Sequence, residues 1–255
     1  MPGFDVTLRD RIATVQLNAP PRNILTSVLQ TELAQAFREL RASRDHNAVM
    51  LTSALADFSA GADVAEHVGR ENVMRMLKAA HALIAEVLRH PVPVVACIRG
   101  NALGGGFELA LACDQIVAHE GARVGTPEIT LGCYPPAATV LAPAKLPALL
   151  AHELVLTGHI FTASELANRG AGLQVVPDLG SAVADMAKTY ASLPRGPLEE
   201  ATRLVRCGAA ERFESAIGGI EQAYLDRLLQ MHDAIEGPTA FLAKRKPAWD
   251  HSNLE

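Results

Sequence analysis

Aromatic residues are scarce in this chain: 4% of 255 residues, with a single tryptophan. That leaves too few rings for the stacking platforms on which single-stranded nucleic acids lie. An excess of cations is missing too, since the formal net charge is −5. No nucleic-acid partner is therefore expected. No apolar run approaches the roughly 18 residues that a membrane-crossing helix needs, so no membrane partner is expected either. There are only four cysteines, Cys97, Cys113, Cys133 and Cys207, and no Cys-x-x-Cys pair. In mostly apolar surroundings they read as buried, reduced thiols; no disulfide framework and no metal site is expected. The opening residues Met1-Pro2-Gly3-Phe4-Asp5 lack the basic-then-apolar pattern of a secretion leader. The expected location is the cytoplasm. Internal repeats, low-complexity tracts and flexible linkers are absent as well.

What the chain does have is apolar mass, 49% of its residues, enough for a sizeable core. Residues 4–8 and 12–17 alternate around Arg9-Asp10-Arg11, a hairpin signal. Leu29, Leu33, Phe37 and Leu40 recur at helical spacing, and Thr26 or Ser27 is available as the cap; a helix is expected over 27–41. Residues 48–53 form a short apolar run, expected to be a buried strand. The small-residue turn Phe58-Ser59-Ala60-Gly61-Ala62-Asp63 follows, with Asp63 placed to cap whatever helix starts there. A helix over 71–89 is stopped by His90-Pro91, and an apolar run at 92–98 reads as the next buried strand. The pattern is strand, helix, strand, helix, with a small-residue turn after two successive strands. In a parallel, right-handed arrangement those turns share one sheet edge, where ligands bind in open α/β folds.

The second turn is Arg99-Gly100-Asn101-Ala102-Leu103-Gly104-Gly105-Gly106, followed by Phe107-Glu108-Leu109-Ala110 and Asp114. Strand, glycine turn and buried helix is the simplest picture. A helix start offers free N–H groups and a partial positive charge, which suits an anion or an oxygen that becomes one. The glycines would equally let a helix pack tightly on a strand. Farther on, Glu128 sits among apolar residues and prolines in Thr126-Pro127-Glu128-Ile129, before Gly132-Cys133-Tyr134-Pro135-Pro136. Short helices are expected over 137–152, interrupted by Pro143 and Pro147. Thr162-Ala163-Ser164-Glu165 is a capping box whose helix ends at Gly170, and Val175-Val176-Pro177 is a last short strand. From Ser181 the chain turns helical throughout. Pro197 is expected at the first position of one helix, and a long helix over 212–235 is expected to end at Gly237-Pro238, before a final short helix over 239–246. The division is an α/β core over 1–180 and a helical region over 181–255.

Taken together, these stretches resemble the crotonase (enoyl-CoA hydratase/isomerase) superfamily. The matching segments are 58–63, 100–110, 126–132 and 236–246, in the family's order and spanning nearly the whole chain. The resemblance implies an α/β fold, a spiral of βαβ units with a C-terminal helical trimerisation region, usually assembled as hexamers. It implies an acyl-CoA thioester as substrate, with coenzyme A part of that substrate and no further cofactor. Carried over by position, the oxyanion hole is the backbone N–H of Ala62 and of Gly105. The two glutamates of the family's hydratases fall on Glu108 and Glu128, 20 positions apart. Both being present favours a hydro-lyase: Glu108 as carboxylate takes a proton from water, and Glu128 as acid protonates the enolate carbon.

One departure is the turn after Glu128, Tyr134-Pro135-Pro136, where common short-chain hydratases are glycine-rich. With Asp63-Val64-Ala65-Glu66-His67 and 232–237, it resembles the family's cyclohexa-1,5-diene-1-carbonyl-CoA hydratases of aromatic compound degradation. Tyr134 and Pro135 are thus candidates to shape a pocket for a ring. Ser59, Ala60 and Gly61 are candidates for the adenine, and Lys244, with Arg245 and Lys246, for the CoA phosphates, unless these cations are simply a solvated tail. Gly104 and Asp63 complete the substrate-binding set, Asp63 chiefly as a cap. His67 either lines the site or packs. A general enoyl-CoA hydratase or isomerase is the alternative activity, and a non-catalytic acyl-CoA-binding protein a third.

Overall fold

The computed structural model describes residues 3–251; Met1 and Pro2, the start of the stretch read for a leader, lie outside them. The first hairpin forms where the alternation places it. Strand β1 (Phe4–Arg9) pairs antiparallel with β2 (Ile12–Leu17), turning through Asp10 and Arg11 with φ of 48° and 60°. After β3 (Ile24–Leu25) comes α1 (Ser27–Ala42), whose cap Thr26 accepts the Leu29 N–H at 3.2 Å. Three units then repeat one plan. β4 (Ala48–Ser53) leads to the short β5 (Gly61–Ala62) and α2 (Arg70–Leu88). β6 (Val94–Ile98) leads to β7 (Asn101–Leu103) and α3 (Gly105–Ala112). β8 (Gln115–His119) leads to β9 (Arg123–Gly125) and, after a 3-10 turn at Pro127–Leu131, to α4 (Pro136–Lys145). In each unit the first strand joins a large sheet and the second a small one.

The large sheet runs β1-β2-β4-β6-β8-β11, where β11 is Gln174–Val176, and it is parallel from β2 onward. The small sheets are β10-β9-β7, with β10 at Ile160–Thr162, and β3-β5. In the chain α5 (Ala148–Thr157) precedes β10 and α6 (Ala163–Asn168) follows it, and α6 carries both halves of the expected capping box. This is the spiral of βαβ units that the resemblance implied.

Strand β6 shows why both faces of the sheet need a cover. Val94, Ala96 and Ile98 point into one apolar cluster, with Leu33 and Phe37 of α1 and Leu83, Ile84 and Val87 of α2. Val95 and Cys97 point into another, closed by Val183, Met186 and Tyr190 of α7 (Leu179–Ser192). Burying a side chain of this kind contributes about 1.5–3 kcal/mol. The helices after residue 180 therefore complete the core of the sheet, and Phe213 and Ile217 of α9 (Ala209–Asp226) join the first cluster too.

Four local expectations are corrected. Cys207 is exposed, while Cys97, Cys113 and Cys133 are buried; it closes α8 (Arg195–Arg206) in the left-handed region, φ 47°. Pro197 is the third residue of α8, still inside the first turn where no N–H is needed. Pro143 lies within α4, which runs two residues further to Lys145. The long C-terminal helix is two helices: α9 stops at Asp226, and α10 (His232–Leu242) runs straight through Gly237-Pro238. An interior proline costs a helix roughly 3 kcal/mol, but here tertiary packing offsets it. Gly237 lets α10 press its backbone on Leu131, whose carbonyl oxygen lies 2.0 Å from where a Cβ would stand.

Two buried histidines set an acid limit on this core. His46 and His90 are both wholly buried, with ring centroids 5.2 Å apart. Among the described residues both ring nitrogens of His46 and Nε2 of His90 lack hydrogen-bond partners. Burial and then the Arg195 charge hold His46 down at about 4, and burial and then His46 hold His90 at about 3. In the unfolded chain both titrate near 6.5. The unfolded state therefore binds more protons inside that window, and stability present above pH 6.5 is lost as pH falls toward 4 and 3. The urea midpoint should drop between pH 7 and pH 5, and His90→Phe should flatten the drop. An equal slope in both proteins would disprove the assignment.

Candidate active site

The two small-residue turns meet, and backbone hydrogen bonds join them. Phe58 N donates to Arg99 O at 2.9 Å, Ser59 N to Asn101 O at 2.9 Å, and Leu103 N back to Ser59 O at 3.0 Å. Asp57 ties the same seam, its Oδ1 accepting Asn101 N at 2.9 Å and Asn101 Nδ2 at 2.6 Å. Burial pushes its carboxyl up, but the Asn101 N–H and the Arg22 guanidinium outweigh that and hold it below the usual range. The third turn joins through Gly104 N, which donates to Gly125 O at 2.8 Å. Ser59 belongs to this frame. Its Oγ donates to Asn23 O at 2.7 Å and accepts Gly61 N at 3.1 Å. Ala60 N donates to Arg22 O. The N–H groups of Ser59, Ala60 and Gly61 are thus all engaged inside the protein.

Each of the three consecutive glycines has its own neighbour. At Gly104 φ is +52° and ψ −129°, and a Cβ there would lie 2.6 Å from Glu128 Oε1. Glycine is required at this position both by the backbone and by the carboxyl resting on it. At Gly106 a Cβ would lie 2.7 Å from the Ser59 Cβ, so this glycine lets α3 close on the first turn. Gly105 faces the other way: the place of its missing Cβ is 3.6 Å from Ala62 N. Gly105 also opens α3, so its N–H is one of the four that no carbonyl of the helix can accept.

Glu108 follows one turn along α3 and is 5% exposed. Its Oε1 accepts Ala138 N at 2.8 Å, which fixes the carboxyl against the start of α4. Glu128 enters from the 3-10 turn, and its Oε2 is buried with no hydrogen-bond partner among the described residues. Both carboxyls line one cavity of about 30 Å³ with Ala62, Gly105, His67, His81, Tyr134 and Tyr224. That is room for about one water molecule. Burial raises Glu108 above the usual carboxylate range; the Ala138 N–H, then His81, then the Ala137 N–H pull it back. Glu128 is pushed well above that range by burial and then by the negative charge of Glu108. Two neighbouring carboxyls with environments this unequal divide into a base and an acid. Larger depressions lie elsewhere, one of about 730 Å³ beside α8 and one of about 620 Å³ between β8, β11 and α7, but neither reaches the glycine turn or these glutamates.

The structure brings together most of the residues that the sequence singled out. Asp63 caps the 3-10 turn Val64–His67 by accepting Ala65 N at 2.9 Å. His67 lines the cavity, half-buried, with Nδ1 3.1 Å from Asp63 O; burial keeps its ring below the usual histidine value. Tyr134 lines it as well, donating from its hydroxyl to Ile220 O at 3.2 Å and standing edge-on to Tyr224, centroids 4.9 Å apart. Pro135 is the N-cap of α4, and Pro136 is the residue on the cavity wall. Lys244 is exposed beyond the end of α10 and does not line the cavity, and Arg245 is tied to Glu236. The sequence reading missed Gln30, Met76, Leu77, Ala80, His81 and Tyr224. Met76, Leu77, Ala80 and His81 lie on α2, where apolar spacing reads as ordinary core and the polar His81 beside Leu77 and Ala80 is the one local signal.

Comparison with known proteins shows the family and the fold. The family model described as Enoyl-CoA hydratase/isomerase matches residues 7–252. Cyclohexa-1,5-dienecarbonyl-CoA hydratase of Thauera aromatica is 34% identical over 239 residues, covering 93% of this chain and 92% of that protein. Carnitinyl-CoA dehydratase of Escherichia coli (strain K12) is 30% identical over 264 residues, covering 96% and 97%. The crystal structure of an enoyl-CoA hydratase from Mycobacterium avium subsp. paratuberculosis K-10 superposes with a TM-score of 0.85 at 26% identity, covering 97% of this chain and 98% of that one.

The glycines differ in what they tolerate. Gly104→Ala forces a strained backbone and displaces the Glu128 carboxyl, so urea unfolding should register a loss of about 1–3 kcal/mol. Gly105→Ala meets only ordinary contacts and gains helix propensity, so its midpoint should match or exceed the parent's. Equal stability of the two variants would refute the assigned geometry.

Proposed function

The chain belongs to the enoyl-CoA hydratase/isomerase family, and from that premise we propose that it adds water to an α,β-unsaturated acyl-CoA thioester whose acyl group is a cyclic diene. The observation that carries the reading is the pair of unequal carboxyls on one cavity the size of a water molecule, beside the free N–H of a helix start. Glu108, ionised, takes a proton from water as the water oxygen bonds to the β-carbon. Electron density moves to the thioester oxygen, which accepts hydrogen bonds from the N–H of Ala62 and of Gly105. Glu128, kept neutral by burial and by Glu108, then gives its proton to the α-carbon. Donors aimed in advance at a developing oxyanion are each worth about 3–4 kcal/mol. Any acyl group is larger than about 30 Å³, so its entry moves at least one wall residue.

The ring assignment draws on the 34% identical dienecarbonyl-CoA hydratase and on the Tyr134-Pro135-Pro136 turn, with its tyrosine pair. A linear acyl group is the second reading, favoured by the 30% identical carnitinyl-CoA dehydratase. The CoA carries the only cofactor chemistry that this reaction needs. Its adenine is assigned to the turn at Ser59, Ala60 and Gly61 through carbonyl groups, and its phosphates to Lys244 and Lys246. The assembly is a homotrimer or a hexamer in the cytoplasm, its contacts drawing on exposed apolar side chains such as Leu149 at 81% and Val205 at 83%.

Glu108→Gln and Glu128→Gln should each lower kcat by roughly 10²–10⁴, with acyl-CoA binding retained. Gly105→Ala should fold normally and yet lose turnover, because its methyl stands before the Ala62 N–H. The rate should follow a bell against pH, rising as Glu108 loses its proton and falling as Glu128 does, with the rising limb above the ordinary glutamate value of 4.5. Water addition to cyclohexa-1,5-diene-1-carbonyl-CoA and to crotonyl-CoA, followed by mass spectrometry, separates ring from chain. Faster turnover of crotonyl-CoA reverses the ring assignment, and full activity of either glutamine variant ends the mechanism. Light scattering on the purified protein should give three or six copies; a monomer at micromolar concentration would contradict the assembly.

A further inference from the structure

His81 lies on α2, faces the cavity that holds Glu108 and Glu128, and is 6% exposed. Its Nδ1 is 2.5 Å from Glu221 Oε1 on α9, 140 positions away in sequence. Its ring stands edge-on to Phe213, with centroids 6.0 Å apart. Nε2 takes no protein partner among the described residues. One side of the ring is thus pinned by a carboxylate and the other is left to the cavity. Glu221 is less buried than His81, with 23% of its side chain accessible, and reaches inward to make the contact.

A buried pair of carboxyls needs something to decide which one ionises. Like charges on one small, dry cavity resist double ionisation. The Ala138 N–H favours charge on Glu108, and His81 adds to it; Glu128 gains only its own backbone N–H, against burial and the charge of Glu108. The groups facing His81 are Glu108 of α3, Glu128 of the 3-10 turn, His67, Tyr134, and Glu221 and Tyr224 of α9. From α1 the cavity takes the neutral Gln30. Arg38 and Arg41 of α1 pair with Glu86, more than a turn farther along α2. We propose that His81, clamped by Glu221, is a positioning residue that assigns the negative charge of the site to Glu108 and leaves the proton on Glu128. This rests on the reading of Glu108 as the base.

The test compares His81→Gln, Glu221→Gln and Glu221→Asp with the parent enzyme, each checked for fold by circular dichroism and thermal melting. Turnover of cyclohexa-1,5-diene-1-carbonyl-CoA and crotonyl-CoA is measured against pH. His81→Gln should move the rising limb of kcat/KM upward by about one unit, which is about tenfold in rate at a fixed pH on that limb, with KM little changed. Glu221→Gln should move it the same way by less, and Glu221→Asp, which keeps the charge, should stay nearer the parent. A second readout needs no turnover: the Glu108 carboxyl carbon, assigned by its absence in Glu108→Gln, is titrated by NMR in the resting enzyme. Its midpoint should rise in His81→Gln. An unmoved midpoint in folded His81→Gln overturns the positioning role whatever the kinetics. A midpoint that moves in an enzyme hydrating neither thioester supports the role of His81 and rejects the proposed reaction instead.

Discussion

The seam between the turn after β4 and the turn after β6 is the constraint on which the site depends. Neither turn has enough regular structure to hold its own shape. Each satisfies its backbone groups through the other, at Phe58 to Arg99, Ser59 to Asn101 and Leu103 to Ser59. Gly100 makes the approach possible, since a Cβ there would lie 2.2 Å from Ala56 O. Buried peptide groups without partners are costly, so the two turns stand or fall together. Their meeting brings Ala62 N beside Gly105, although 43 positions separate them in sequence. Ser59 extends the frame to Asn23, so a residue before α1 also shares in holding the site.

Upon this rigid frame sits an electrostatic conflict that the fold maintains. Two carboxyls in one small cavity, both largely out of water, would each be neutral if burial alone decided. The fold breaks the tie with fixed partners. Glu108 is given the N–H at the start of α4, where the helix dipole also favours an anion. Glu128 is given the surface of Gly104 and no donor for Oε2 among the described residues. The same low-polarity surroundings that penalise the charge strengthen each hydrogen bond to it. A rigid seam matters here, because a loosened turn would admit water and erase the difference between the two acids.

Much of this was legible in the sequence, and the misses have definite physical causes. The large-sheet strands and their helices were readable because period and stop signals agree there, as at Ser27–Ala42 with its Thr26 cap. The short strands at Ile24–Leu25, Gly61–Ala62 and Asn101–Leu103 were not, since two or three residues carry no period. That Ala62, Gly105, Glu108 and Glu128 would come together was legible because the family spacing recurs. The roles of the individual glycines were not, because what Gly104 and Gly106 touch arrives from positions 128 and 59. His81 sat on a helix face that packing alone explains, and its partner lies on a helix whose register against α2 no local pattern reports.

The C-terminal helices carry the same lesson further. Gly237-Pro238 is a stop signal by every local rule, and the chain ignores it because α10 is placed by contact. Gly132 and Gly237 answer each other: a Cβ on the first would meet Asp233 O at 2.3 Å, and one on the second Leu131 O at 2.0 Å. Backbone thus lies on backbone along the turn that carries Glu128. The residues after α10 fold back onto it, as Glu236 accepts Ala248 N at 2.7 Å and Asp233 accepts Asp250 N at 2.8 Å. The Arg245 guanidinium and then that Ala248 N–H hold the Glu236 carboxyl down at about 2, so this latch stays charged well below the pH at which an ordinary glutamate takes up its proton. The carboxyl of Glu128 is therefore seated from two sides, on Gly104 in front and through its own 3-10 turn on α10 behind. A chain cut before α10 would keep both glutamates in its sequence and lose the packing that fixes where the second one stands.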